Sequence, residues 1–194
     1  MPQPVVFDVE TQFSFREMSN DTEKLRVSVA VAYDYATQQA YSFTEDKIGG
    51  LFSLFEKASV VIGFNSNNFD LVVLKPYYVG NLMSFSRFDL LESVKEKTGR
   101  RYPLDDLVHA TLGKGKSGHG LQAIEFFREG KMKELISYCT DDVLLTKELF
   151  DFGVTNGFIY LPTALSKLKI PVDWKRVIEQ KQRETGNHNL TLGF

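Results

Sequence analysis

An α/β fold on a mixed sheet is what this sequence predicts, on three observations. Two strand-like runs early in the chain are spaced as a hairpin; further on, short apolar runs alternate with helical patterns; and residues 133–153 carry the longest amphipathic pattern, with helical period. With 194 residues, 43% of them hydrophobic and 13% aromatic, the chain can fill one full-sized core. A single domain over 1–194 is therefore expected, with its core at about 4–153 and residues 154–194 as a packing appendage ending in a polar tail.

Residues 4–9, PVVFDV, are β-branched and aromatic and predict a strand buried on both faces, except where acids interrupt it. LRVSVAVAYDY and QQAYSFTE are two further strands joined by a short polar turn at Ala36–Gln38, an antiparallel hairpin. GGLFSLFEKAS places Leu51, Leu54 and Phe55 at helical spacing, and SVVIGFN after it is a buried strand ending in Gly63 and Asn65. FDLVVLKPYYV, DLLESVKEKTG, LDDLVHATLG and LQAIEFFREG follow as helices. KELISYCTDDVLLTKELFDFG is the longest, with Gly153 as its expected stop. GFIYL is a last strand and DWKRVIEQKQRE a last helix. There is no internal repeat and no low-complexity segment.

The formal charge of −2 gives none of the global basicity that marks many nucleic-acid binders, so any such affinity must be local or carried by a metal. Cys139 is the only cysteine, which excludes an intramolecular disulfide and a cysteine zinc cage. No segment reaches the roughly 18 uninterrupted apolar residues of a bilayer span, and MPQPVVFDVE lacks a basic region followed by an apolar stretch. The expected address is the cytoplasm, with no membrane partner.

The chemistry lies in the acids. Asp8 and Glu10 are two apart on a strand and share a face, about 7 Å apart along the backbone. In so apolar a strand they need a cation between them or exposure to water. Asp70, in GFNSNNFD, falls in the first turn of a helix for which Asn67 or Asn68 is a natural cap; the loop leaves the carboxyl end of a strand, where open α/β sheets collect functional groups. On the long helix, Asp142 shares the apolar stripe of Leu135, Tyr138, Cys139, Leu145 and Leu149, whereas Asp141 faces Glu134, Ser137 and Glu148. Asp142 is thus the buried acid, with the Tyr138 Cβ about 6 Å away. Taken alone, Tyr138 and Asp142 read as a satisfied core pair. Four converging carboxylates, however, call for two Mg²⁺ or Mn²⁺ ions about 4 Å apart, an arrangement suited to phosphodiester hydrolysis. Without metal, at least one of the four is expected to hold its proton above the ordinary carboxylate range.

FDVET, GFNSNNFD and YCTDD resemble the three exonuclease motifs of the DEDD superfamily, D-x-E, N-x3-F-D and Y-x3-D. The tyrosine makes the resemblance to the DEDDy branch, which includes ribonuclease D and the proofreading domains of family B DNA polymerases. The histidine branch would need a histidine where this chain has Ser137. The match covers about residues 4–153, is closest in motif style to the family B polymerases and, with no polymerase domain following, looks like a stand-alone relative. It implies a ribonuclease H-like fold: a mixed five-stranded sheet, second strand antiparallel, with helices on both faces. It also implies 3'→5' exonuclease activity, with Asp8, Glu10 and Asp142 on one metal, Asp8 shared with a second, Asp70 holding the second partly through water, and Tyr138 positioning the nucleophile. Thr11 and Asn65 would contact the terminal nucleotide; Phe13 and Phe69 are expected in the core rather than against a base. The implied partner is a single-stranded DNA or RNA 3' end, with DNA favoured, and a helicase or polymerase is the kind of protein implied beside it.

The basic segments KEKTGRR and GKGKSGHG could track a phosphate backbone or be solvated loops. ATLGKGKS approaches a phosphate loop with Ala110 where its first glycine should be, but it follows a helix rather than a strand. The other rival is a catalytically inactive ribonuclease H-like module that only binds nucleic acid or protein. Retention of all four acids and the tyrosine favours an enzyme.

Overall fold

A computed structural model describes residues 2–115 and 120–191. Lys116 and Ser117 of the phosphate-loop-like segment, with the rest of KSGH, lie outside the described residues. The main sheet has five strands: β1 (Val5–Thr11), β2 (Val27–Asp34), β3 (Gln39–Thr44), β4 (Val61–Gly63) and β5 (Arg87–Asp89), in the order β3-β2-β1-β4-β5. β2 pairs antiparallel with β1 and β3, while β1, β4 and β5 pair in parallel. One strand therefore opposes the other four. The hairpin turn falls where it was expected and ends on Gln38 in the left-handed region, at φ 56°. Strand β5 was not foreseen, because three residues are too few to show a period.

Side chains alternate across a strand, and β1 uses both faces differently. Val5, Phe7 and Val9 join one core with Leu51, Phe52 and Phe55 of α1 (Gly49–Lys57) and Leu71, Val73 and Leu74 of α2 (Asp70–Leu74). Val6 points the other way, into a core shared with α3 (Leu90–Thr98), α4 (Leu104–Leu112), α5 (Gly120–Arg128) and α6 (Met132–Asn156). Asp8 and Glu10 have the parity of Val6, so they head for the face that α6 covers.

Three helix boundaries depart from expectation. Helix α2 lasts five residues and gives way to a 3₁₀ turn at Lys75–Tyr77. Pro76 lacks the N–H, and its ring crowds the carbonyl four residues back, so an α-helix cannot run through it. Neither Asn67 nor Asn68 caps α2; its cap position is Phe69, with no side-chain hydrogen bond, and both asparagine amides donate to Glu92 of α3 instead. Gly153 does not stop α6, which runs on to Asn156 and ends at Gly157, φ 72°. The Gly157 N–H donates back to the Gly153 carbonyl at 2.9 Å, an αL cap.

Gly153 serves packing instead. A Cβ there would fall 2.2 Å from Cε3 of Trp174, so the missing side chain admits the indole. Trp174 opens α7 (Trp174–Thr191), is fully buried, stacks on Phe150 at 6.4 Å and 15°, and donates Nε1–H to the Ser93 hydroxyl at 2.8 Å. Before it, β6 (Phe158–Pro162), expected as a strand, pairs with an unforeseen β7 (Lys167–Pro171). Ile159, Leu161, Val172, Trp174 and Ile178 all join the core beneath α6, so β6 and the start of α7 pack on the same core. Among the described residues, no helix is long and apolar enough to cross a membrane.

Candidate active site

The buried stripe of α6 contains Leu135, Tyr138, Cys139, Asp142, Val143 and Thr146, at the spacings of three and four that one helix face requires. Asp142 is 5% exposed, while Asp141 next to it is on the surface. The helix thus brings Asp142 to the strand face that carries Asp8 and Glu10. One oxygen from each of the three carboxylates lies within 4.8 Å of the other two. Among the described residues this is the one group of His, Cys, Asp or Glu side chains that converges closely enough to hold an ion. Asp8 and Glu10 are half-buried rather than free in water. Three carboxylates in so small a space, offering only hard oxygen donors, suit a hard divalent cation.

Past Glu10 the register of β1 against β2 shifts by one residue, and the pairing then continues, with the Gln12 and Phe13 N–H groups donating to the Arg26 and Leu25 carbonyls. Thr11 is buried there and donates its hydroxyl to the Phe13 carbonyl at 2.9 Å.

Asp70 stands apart from the group of three. It is 2% exposed and accepts the Val9 N–H at 2.8 Å, on the backbone of β1 between Asp8 and Glu10. Burial, then the negative charge of Asp8, hold its carboxyl well above the ordinary carboxylate range, against the pull of the Val9 N–H. One acid of the four is thus raised as expected, with burial outweighing the crowding of charges. Because the folded pKa is raised, Asp70 contributes full stability below the ordinary value of 3.8 and loses it as pH rises through the folded value. Two results follow. Asp70→Asn, which keeps an acceptor for Val9, is expected to melt roughly 2–8 °C above the wild type at pH 8 in EDTA. Manganese is expected to raise the wild-type Tm more at pH 8 than at pH 5, since protons and cation compete for the same oxygens. Equal shifts at both pH values would mean that the carboxylates do not bind the ion.

Two residues beside the acids were not assigned a role from the sequence. Cys139 is fully buried, with Sγ 3.6 Å from both the backbone oxygen and Oδ2 of Asp8. Burial and the charges of Asp8, Glu10 and Asp142 push its thiol well above its usual value, so it stays a neutral S–H donor. Its place on the Asp142 stripe was readable; its contact with β1 was not. Asp89 caps α3, accepting from Leu91 and Glu92, and reaches back to accept the N–H groups of Asn65 and Asn67 at 2.9 and 3.0 Å. The D-x-x-E spacing of Asp89 and Glu92 resembles a capping box and signals the helix start. The grip on the 65–67 loop depends on β5 lying beside β4. Asp89→Ala is expected to cost about 2–4 kcal/mol, by losing a cap and stranding loop N–H groups; urea unfolding measures it.

That loop is conformationally special at Asn65, whose φ is 63°, a region asparagine tolerates better than most residues. Its Oδ1 accepts from the Arg101 guanidinium at 2.7 Å. Tyr138, 6% exposed, lies one turn before Asp142 on the same stripe.

Two hollows meet at Asp8. One, of about 430 Å³, is lined by Asp8, Glu10, Thr11, Phe13, Phe15 and Phe69 among others. Phe13 and Phe69, expected in the core, rest on it with one side and face this hollow with the other; Phe15 is exposed and lies 5.7 Å from the Phe69 ring. The other, of about 520 Å³, is lined by Asp8, Asp142, Phe64, Asn65, Arg101 and Tyr102 among others. Thr11 and Asn65 thus flank the acids from different hollows.

No protein-family model matches the chain, and no curated protein matches it either. A solved structure does. The family B DNA polymerase from the hyperthermophilic archaeon Pyrobaculum calidifontis superposes with a TM-score of 0.59 at 18% identity, over 81% of this chain and 26% of the polymerase. The fold is ribonuclease H-like. Its sheet order, single opposed strand and flanking helices are those described above, with Glu10 near the carboxyl end of β1 and Asp70 in the helix that follows β4, the side on which such sheets hold their sites. At this identity the likeness carries the fold alone, and the chain spans about a quarter of the polymerase's length.

Proposed function

We propose that this chain is a metal-dependent 3'→5' exonuclease that removes nucleotides from single-stranded ends, DNA in preference to RNA. The observation that carries the reading is the convergence of Asp8, Glu10 and Asp142 within 4.8 Å, at the junction of two hollows. Mg²⁺ or Mn²⁺, two ions, is the cofactor this reading assigns; Asp8, Glu10 and Asp142 would hold it, with Asp70 as a further ligand. When bound, such ions supply an activated water and a clamp on the attacking and leaving oxygens of an in-line displacement.

The residues themselves do the rest. Asp8 and Glu10 are held at fixed separation by the strand, and Asp142 by the packed stripe of α6, so the oxygens are placed before substrate arrives. Asp70 is anchored by the Val9 N–H, and a cation beside Asp8 would offset the second cause, after burial, of its raised carboxyl. Tyr138 orients the attacking water through its hydroxyl. Thr11 and Asn65 contact the terminal nucleotide from either side, with Phe13 and Phe69 as an apolar surface against which a base excludes water. A helicase or polymerase is the protein partner that this activity suits.

The test is an oligonucleotide labelled at its 5' end, incubated with manganese. A ladder shortening from the 3' end is expected, arrested by EDTA and by a blocked 3' terminus, and formed faster on DNA than on RNA. Intact strands that are bound but never shortened would instead mark a binding module. Internal cuts on the 3'-blocked strand would contradict the exonuclease reading.

A further inference from the structure

The larger hollow beside the acids has an electrostatic asymmetry. Asp8 and Asp142 repel a polyanion there, and Arg101 is the one cation among the described residues lining it. The apolar hollow, with Phe13, Phe15 and Phe69, has no cation among the described residues that line it. A nucleic-acid strand that crosses Asp8 therefore meets apolar surface on one side and a guanidinium on the other.

Arg101 is exposed, yet its guanidinium has a partner in the loop beside the acids. Its Nη2 donates to Asn65 Oδ1 at 2.7 Å, and the Asn65 backbone N–H is held by Asp89 at 2.9 Å. Asp89 in turn belongs to β5 and the start of α3, so the guanidinium is tied through two hydrogen bonds to the sheet that carries the acids. A single bond engages one of the five donors of a guanidinium, whose planar fork matches a phosphate. Holding a cation in place beforehand lowers the ordering cost of binding.

We propose that Arg101 binds a backbone phosphate of the substrate strand, anchoring the chain beside the acid cluster; this rests on the exonuclease reading of the site. It makes Arg101 a binding residue, and Asn65 the residue that positions it.

The test pairs a protein change with a phosphate change. In the Asp8→Asn background, which removes turnover and one negative charge, dissociation constants are measured by fluorescence anisotropy in EDTA, with and without Arg101→Gln. The strands are an unmodified deoxyoligonucleotide and versions with one uncharged methylphosphonate at each of the last few 3' linkages. Arg101→Gln is expected to weaken binding of the unmodified strand roughly tenfold to a hundredfold and to make its logarithmic salt slope shallower by about one. At one linkage, the methylphosphonate should weaken binding by the arginine protein and cause no further loss with Arg101→Gln. In the otherwise wild-type enzyme with manganese, Arg101→Gln should raise KM with kcat retained. Losses that multiply at every linkage, or equal affinity with and without Arg101, would overturn the proposal. Failure of the exonuclease reading appears separately, as a wild-type protein that shortens no strand in manganese.

Discussion

Asp8→Ala is expected to shorten a 5'-labelled oligonucleotide in manganese about a thousandfold more slowly than the wild type. No other side chain touches so many parts of the site: its carboxylate belongs to the group with Glu10 and Asp142, borders both hollows and accepts from Cys139. Its charge is also the second cause, after burial, of the raised Asp70 carboxyl. Ion-assisted displacement contributes several kcal/mol of transition-state stabilisation, and about 4 kcal/mol corresponds to a thousandfold in rate. Removing one of several crowded carboxylates relieves repulsion, so the variant should remain folded, and a melting curve checks this. Asp141→Ala is the control, since Asp141 is exposed beside Asp142, and it should keep wild-type activity. An identical ladder from the Asp8→Ala protein would assign the activity to a contaminant.

Trp174→Ala is the substitution expected to cost most stability, about 3–5 kcal/mol. The indole is fully buried, contacts Phe88 edge-on and Phe150 face-on, and donates to Ser93 of α3. Its loss leaves a cavity between α3, α6 and α7 and removes the donor to the half-buried Ser93 hydroxyl. For a chain of this size the Tm should fall by roughly 6–20 °C. A drop of a degree or two would mean that α7 is a loosely attached appendage. Gly153→Val approaches the same contact from the other side, by placing side-chain atoms where the indole ring lies.

Much of this architecture was legible in local pattern. The period of the β1 acids and the stripe of α6 identified Asp142 over Asp141, and most strands and helices through α6 were readable from their periods, while the three-residue β4 was readable from the continuous apolar run around it. The missed strands are those whose signal is weak. β5 has three residues, and β7 reads LysLeuLysIlePro, mostly exposed and recruited by pairing with β6. Gly153 looked like a stop because glycine commonly ends helices, but Trp174, remote in sequence, uses the space. Asn67 and Asn68 looked like caps because asparagine favours that position, yet Glu92 across the loop takes their amides.

By itself the sequence determined an α/β chain, an acid on the buried stripe of α6, and the parity that sends Asp8 and Glu10 to the same side. Those properties follow from backbone periods of 2.0 and 3.6 residues, which act over a few positions. Only the tertiary structure decided that Asp70 turns to the Val9 N–H while Asp142 joins the pair on β1, and that Arg101 is tied to Asn65. These meetings join residues that are dozens of positions apart or more. They depend on how β1, β4 and β5 align and how α6 docks, and no local period encodes that.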